Sequence, residues 1–440
     1  MVMDMNKSPA DHETSVNCPV GLDSPCVRPG YKQTEVGVIP EDWDAKKLGE
    51  LASFRTGPFG SALHKSDYTN DGVPIVNPMH IVDSQILPTR TMTITESAAT
   101  KLNEFRLNPG DVVIGRRGGM GRCAVVQHTH NGWLCGTGSM IVRPSAWVDA
   151  EFIQRVLSSP TIIFAIENTS VGSTMINLNQ STLRELVVQA PPLPEQRAIA
   201  TALSDVDALL TKLEKLIAKK RDLKQAAMQQ LLTGQMRLPG FGGEWEVKRL
   251  GDVGCFLKGS GIRKDESLSG DLPCVRYGEI YTKHSEYIKT FYSWISPQAA
   301  VTARQIKQGD LLFSGSGETK EEIGKCVAFV NDTEAYAGSD IVILRPEHSS
   351  PIFFGYYLNT APINRQKASR GQGDAVVHIS AMALADIEIK LPKFEEQTAI
   401  ATVLFDMDAE ITALESRRDK TRALKQGMMQ ELLTGRIRLI

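Results

Sequence analysis

Residues 195–238 read EQRAIATALSDVDALLTKLEKLIAKKRDLKQAAMQQLLTGQMRL, and residues 396–439 read EQTAIATVLFDMDAEITALESRRDKTRALKQGMMQELLTGRIRL. The two stretches align without a gap at an offset of about 201, with roughly 26 of 44 positions identical. A shared amphipathic pattern would keep the hydrophobic spacing and lose the identities. The copies therefore mark an internal duplication, and the architecture follows from what this repeated stretch is.

Both copies carry the signals of a long helix. Pro194 sits near the first turn, where a helix accepts proline. Glu195 and Glu396 suit the positive N-terminal end, and Gly234 and Gly435, after LLT, suit a left-handed C-terminal cap. The apolar residues recur at four and three positions, the seam of a coiled coil. Ile199, Leu203, Val206, Leu210, Leu213 and Ile217 form one stripe; Ile400, Leu404, Met407, Ile411 and Leu414 form the other. Charged residues at Lys219–Arg221 and Arg417–Arg418 break the stripes, which resume at Leu223 and Leu424. About 39 residues make a rod of roughly 58 Å, longer than one ordinary domain wraps. The two helices are expected to pair with each other, antiparallel, because one seam repeated about a pseudo-two-fold axis complements itself. The alternative is that each helix packs only on its own globular part.

Outward from the helices the repetition is fainter. EDWDAKKLGELASFRTG around Trp43 resembles GEWEVKRLGDVGCFLKG around Trp245. VPIVNPMHI matches LPCVRYGEI, NPGDVVIG at Asp111 matches KQGDLLFS at Asp310, RCAVV matches KCVAF, and MIVRP matches VILRP. Short β-rich runs between Gly- and Asn-rich turns, with one short helix near Phe152 and one near Phe354, predict an α+β fold. The expected plan is two globular α/β domains joined by two long antiparallel helices in a coiled coil, a pseudo-two-fold repeat. Its segments are a polar, disordered extension at 1–30, globular domains at 31–190 and 241–390, and long helices at 191–240 and 391–440.

Lys and Arg total 49 and Asp and Glu 51, a net charge of −2, which excludes a binder that works by bulk positive charge. No run of about 18 apolar residues suggests a membrane span, and the N-terminus has no apolar signal core. The seven cysteines are scattered without C-x-x-C spacing, so reduced thiols in a cytoplasmic protein are the expectation.

No catalytic constellation emerges. GRRGGMGRCA contains G-x-G-x-x-A, but β-rich CAVVQ follows it instead of the helix a dinucleotide site requires. GSGETK lacks the G-K-S/T of a phosphate loop, and the eight histidines show no metal spacing. Asp205/Asp207 and Asp406/Asp408 lie on the helices and read as partner contacts or solvated faces. The loops instead carry Arg, Lys, Asn, Gln and Ser among glycines, the side chains that reach phosphates and base edges. In the first half the candidates are Arg55, Thr56, Ser61, Lys65, Asn77, Arg116, Arg117, Arg122, Ser173 and Asn177. In the second half they are Lys258, Arg263, Lys264, Arg276, Tyr277, Ser314, Lys320, Arg370, Gln372 and His378.

A globular part closing in PPLPEQRAIA, a long helix ending LLTG, and a second copy closing in KLPKFEEQ and again ending LLTG resemble the specificity (S) subunit of type I restriction–modification enzymes. The likeness spans about residues 31–440, and Glu395 stands where the first copy has Pro194. The resemblance implies two target-recognition domains, each reading one half of a split double-stranded DNA site, with the paired helices setting the unread spacer. It implies docking of two methyltransferase subunits that hold S-adenosylmethionine and modify adenine. Restriction subunits with ATP and Mg would join that core, and this chain itself would hold no cofactor, no metal and no catalytic residue. The helix copies are far more alike than the globular copies, so the half-sites are expected to differ. An adaptor with protein-binding ends and a stand-alone methyltransferase are the other readings.

Overall fold

A computed structural model of the chain describes residues 27–59, 62–168, 178–263, 265–373 and 376–439. Two compact units emerge, Met1–Leu210 with Lys420–Ile440, and Thr211–Asp419. The division runs through both long helices, Leu193–Leu231 and Phe394–Leu432, so each unit contains part of each helix. Among the described residues no helix is long and apolar enough to cross a membrane.

The first unit is built on a four-stranded antiparallel sheet in the order Cys123–Val125, Val112–Gly115, Ser139–Pro144, Ala52–Thr56. Alternate residues of its central strands enter two different cores, as the two-residue period of a strand requires. Val112, Ile114, Met140 and Val142 pack with Phe152 and Ile153 of the helix Ala150–Leu157. Val113, Ile141 and Ala124 pack on the other side with Val76 and Cys135. A smaller sheet places Leu134–Cys135 parallel to Val73–Val76, with Thr93–Ile94 antiparallel at its edge.

The second unit has the same order of strands: Cys326–Ala328, Leu311–Ser314, Ile341–Pro346, Gly254–Lys258. Leu311, Phe313, Val342 and Leu344 face Phe353 and Phe354 of the helix Pro351–Tyr357, while Leu312, Val327, Ile341 and Ile343 face the other core. Its smaller sheet gains a strand, Arg304–Ile306, beside Ala335–Ala337.

The repeated GD and RP pairs acquire a physical reason. Asp111, buried before its strand, accepts both arms of Arg143 at 2.7 and 2.8 Å. Asp310 accepts Arg345 at 2.8 and 2.7 Å. These are two-pronged charge-assisted pairs that fix neighbouring strands. The globular part of each unit, its head, closes with an antiparallel strand pair, Asp44–Lys47 with Val187–Ala190 and Glu246–Arg249 with Glu388–Leu391. Prolines then release the chain into the helix, and a buried glutamine ties each helix start to its head. Gln196 accepts from Asp149 N at 2.8 Å and donates to the Pro191 carbonyl at 2.9 Å; Gln397 does the same with Ser350 and Pro392 at 3.1 and 3.0 Å.

Inside each unit the helix segments run antiparallel. In the second unit Lys220 pairs with Glu410 and Arg221 with Glu415, while Lys224 reaches Asp408 at 2.7 Å. In the first, Lys425 reaches Asp207 at 2.6 Å. Of the seam residues, Ile199 and Leu203 share a core with Leu432, Leu433 and the first head, and Ile400 and Leu404 share one with Leu231, Leu232 and the second. Leu213, Ile217 and Ile411 are buried at mid-helix; Val206, Leu210, Met407 and Leu414 are half-buried. The expected resumption of the stripes at Leu223 and Leu424 is corrected: both are exposed. The neighbouring lysines, Lys224 and Lys425, turn inward instead to meet Asp408 and Asp207.

Candidate nucleic-acid interface

The loop candidates gather mainly at one end of each four-stranded sheet. In the first unit Ala52–Thr56 leads to Gly57, whose N–H donates to the Ser139 carbonyl at 3.0 Å, and Val112–Gly115 leads to Arg116, whose N–H donates to the Gly138 carbonyl at 2.9 Å. Thr56, Arg116 and the turn around Gly136–Gly138 thus share a strand-end surface. Asn77 joins them, packed so close to that turn that a Cβ placed on Gly136 would lie 2.2 Å from its Oδ1. Arg122 leans toward the same turn, its Nη1 donating to the Pro78 carbonyl at 3.4 Å, and Arg117 is exposed. Arg55 is already engaged in an ion pair with Glu104.

In the second unit Lys258, Arg370, Gln372 and His378 line one cleft of about 320 Å³, with Gly315, Ser316 and Asp340. His378 Nδ1 lies 2.9 Å from Ser316 Oγ, and the backbones of Gln372 and His378 exchange hydrogen bonds at 2.9 and 2.7 Å. Arg370 is partly committed to the fold, donating to the Gln366 and Asp386 carbonyls at 3.0 and 3.2 Å. Arg263 is exposed.

Three candidates, Ser314, Tyr277 and Lys320, sit badly for DNA. Ser314 is fully buried and its Oγ donates to the Ser316 carbonyl at 2.7 Å, so it cannot reach a ligand. Tyr277 lines a separate cavity of about 840 Å³ whose walls carry Glu286, Glu318, Glu321 and Glu322. The loop with Lys320 borders that cavity, and its carboxylates repel a polyanion. Arg276 is half-buried, its backbone N–H held by Glu279 at 3.1 Å. Ser61, Ser173, Asn177, Lys264 and the side chain of Lys65 lie outside the described residues, as do residues 1–26 of the expected extension. Arg28, within that extension, stacks over the Tyr31 ring and donates to the Arg436 carbonyl at 3.2 Å.

No group of His, Cys, Asp or Glu able to hold a metal occurs among the described residues. The surfaces that do form offer hydrogen-bond donors and positive charge. The model of the type I restriction modification DNA specificity domain matches the chain twice, at residues 40–225 and 242–422. The chain belongs to this specificity family. The putative type I restriction enzyme MjaX specificity subunit of Methanocaldococcus jannaschii is 25% identical over 434 residues, 93% of this chain and 97% of that protein. The EcoKI specificity subunit of Escherichia coli is 20% identical over 427 residues, 91% of this chain and 90% of its relative. The S subunit crystal structure from M. genitalium superimposes with a TM-score of 0.56 at 17% identity, covering 89% of this chain and 96% of that one, a likeness of fold.

Sequence reading missed the pairings of polar residues by which this specificity chain locks its helices. Glu195, Asp207, Lys425 and Arg438 in the first unit, and Glu396, Asp408, Lys224 and Arg237 in the second, are paired across the helices. The signal was present: each is identical between the two copies, where a solvated face would have drifted.

Proposed function

We propose that this chain is the DNA-reading subunit of a type I restriction–modification assembly. Each head reads one half of an asymmetric, bipartite site in double-stranded DNA, and the two long helices, paired as a coiled coil about a pseudo-two-fold axis, set the spacer. The domains are those named from the sequence, heads at 31–190 and 241–390 with helices at 191–240 and 391–440. Two methyltransferase subunits dock on the helices and carry S-adenosylmethionine chemistry on adenine, and restriction subunits add ATP and Mg. The chain is non-catalytic and holds no cofactor of its own.

The observation that carries this reading is the pairing of two heads of equal strand order with different side chains at the same sheet end. Arg116, Arg122, Asn77 and Thr56 occupy it in the first head, and Lys258, Gln372 and His378 in the second. A common frame with divergent base-edge chemistry is what a two-headed reader of unlike half-sites needs. Exposed Leu216 and Leu223, seven residues apart, leave apolar surface on the first long helix for partner subunits. Retention of random duplexes by the chain co-purified with methyltransferase partners, followed by sequencing of what is retained, tests the assignment. Enrichment of one split motif supports it. Retention with no sequence preference favours an adaptor whose ends bind proteins.

A further inference from the structure

Three hydrogen bonds hold the backbone and side chain of Arg116 in place. Its N–H donates to the Gly138 carbonyl at 2.9 Å, and its carbonyl accepts from Leu178 N at 3.0 Å. The side chain folds back so that Nε donates to the Leu178 carbonyl at 2.8 Å, leaving the residue only 7% exposed. Among the described residues no carboxylate pairs with it, and Nη1 and Nη2 have no hydrogen-bond partner. Burial, with the like charge of Arg117 nearby, weakens the hold on its proton. A buried cation without a counter-charge is costly, and two unused parallel donors call for a ligand with two acceptors.

The second unit has the same backbone frame with nothing in it. Gly315 donates to the Asp340 carbonyl at 2.8 Å and accepts from Ile379 N at 2.9 Å, as Arg116 does with Gly138 and Leu178. A Cβ on Gly315 would lie 2.9 Å from the Asp340 carbonyl oxygen, so no side chain enters without moving the backbone. The space is the cleft lined by Lys258 and His378. One structural position therefore presents a fixed guanidinium in one head and an open cleft in the other.

We propose that Arg116 is the specificity-determining residue by which the first head reads a guanine, Nη1 and Nη2 donating to its O6 and N7 in the major groove. The assignment rests on the DNA-reading role argued above. A phosphate would also accept two bonds, but phosphate contacts carry no sequence information and serve both heads alike. The arginine differs between heads where readout must differ, and its fixed Nε aims the fork in the geometry that matches guanine.

The full chain, assembled with its methyltransferase partners, tests this through maps of methylated adenine for wild type, Arg116→Lys and Arg116→Gln. The expected result is a guanine in one half-site of the wild-type motif. Its preference falls roughly 10- to 100-fold in the glutamine variant and less in the lysine variant, with the other half unchanged. An unchanged motif in both variants overturns the proposal. So does a uniform loss of affinity across sequences with a salt slope lowered by about one, the mark of a phosphate contact. A test independent of variant folding replaces that guanine by 7-deazaguanine in the duplex offered to wild-type protein. Weaker retention, by about tenfold, supports the N7 contact, and equal retention overturns it. A wild-type complex that methylates without any sequence motif would instead contradict the DNA-reading role itself.

Discussion

Arg438 chelates Glu195 across 243 positions of sequence, Nε to Oε1 at 2.6 Å and Nη2 to Oε2 at 2.8 Å. The carboxylate is fully buried, and the Trp43 indole also donates to it at 2.8 Å. The pair joins the end of the second long helix to the start of the first. The second unit repeats it with Arg237 and Glu396, at 2.5 and 2.6 Å. The repeated E at each helix start and R after each LLTG are thus two halves of one reciprocal lock.

Removing one partner of such a pair leaves a buried charge uncompensated. Arg438→Ala is expected to lower stability by about 3 kcal/mol, read from denaturant unfolding. Arg438→Ala combined with Glu195→Gln should cost less than the sum of the two single changes, because the second removes the stranded charge. Additivity of the two would show that they do not act as a pair.

Gly435 and Gly234 cap the two long helices with φ of +68° and +71°. A Cβ on Gly435 would lie 2.6 Å from Pro40 Cδ, whereas one on Gly234 would lie 3.3 Å from Trp245 Cε2. Gly435→Ala is expected to cost about 2 kcal/mol and Gly234→Ala about 1 kcal/mol, the difference being the clash added to the left-handed backbone. Thermal melts of the two variants check the order; equal losses would refute it.

His284 is buried, and burial together with Lys325 pulls its pKa from 6.5 to about 4. Between those values the unfolded chain binds a proton that the folded chain refuses. Stability from this residue is therefore present above about pH 6.5 and lost as pH falls toward 4, by up to about 3 kcal/mol. His284→Gln should lose less stability than wild type across that window. Parallel stability–pH curves for the two proteins would remove the argument.

The spacer role proposed for the helices makes a geometric prediction. Four residues inserted near Lys212, in one helix only, lengthen that helix by about 6 Å and should lengthen the unread gap by about one to two base pairs or disrupt assembly. The motif from methylated-adenine maps and the mass of the complex report the two outcomes. An unchanged gap in an intact complex would contradict a ruler. Exchange of residues 50–190 for another recognition domain should change one half-site alone, and a change in both would show that the heads do not read independently.

Much of this structure was legible in the sequence because the helices are long, capped and present twice. The helix bounds come from proline, glycine and a 4-3 spacing, signals set by local chemistry. What escaped was long-range. Leu223 and Leu424 fit the hydrophobic spacing, but tertiary ion pairs at Lys224 and Lys425 decide which face turns inward. Ser314 carries a suitable hydroxyl, yet its strand buries it. Arg370 carries a suitable fork, yet carbonyls from its own helix and from Asp386 occupy it. A side chain's chemistry is readable from its type, while its availability depends on partners far along the chain.

The most direct test of a two-headed reader is a genome-wide map of N6-methyladenine made by the full chain assembled with its methyltransferase partners. The account predicts two short, unlike base blocks separated by a gap of fixed length. A palindromic motif, or one continuous block, would contradict it.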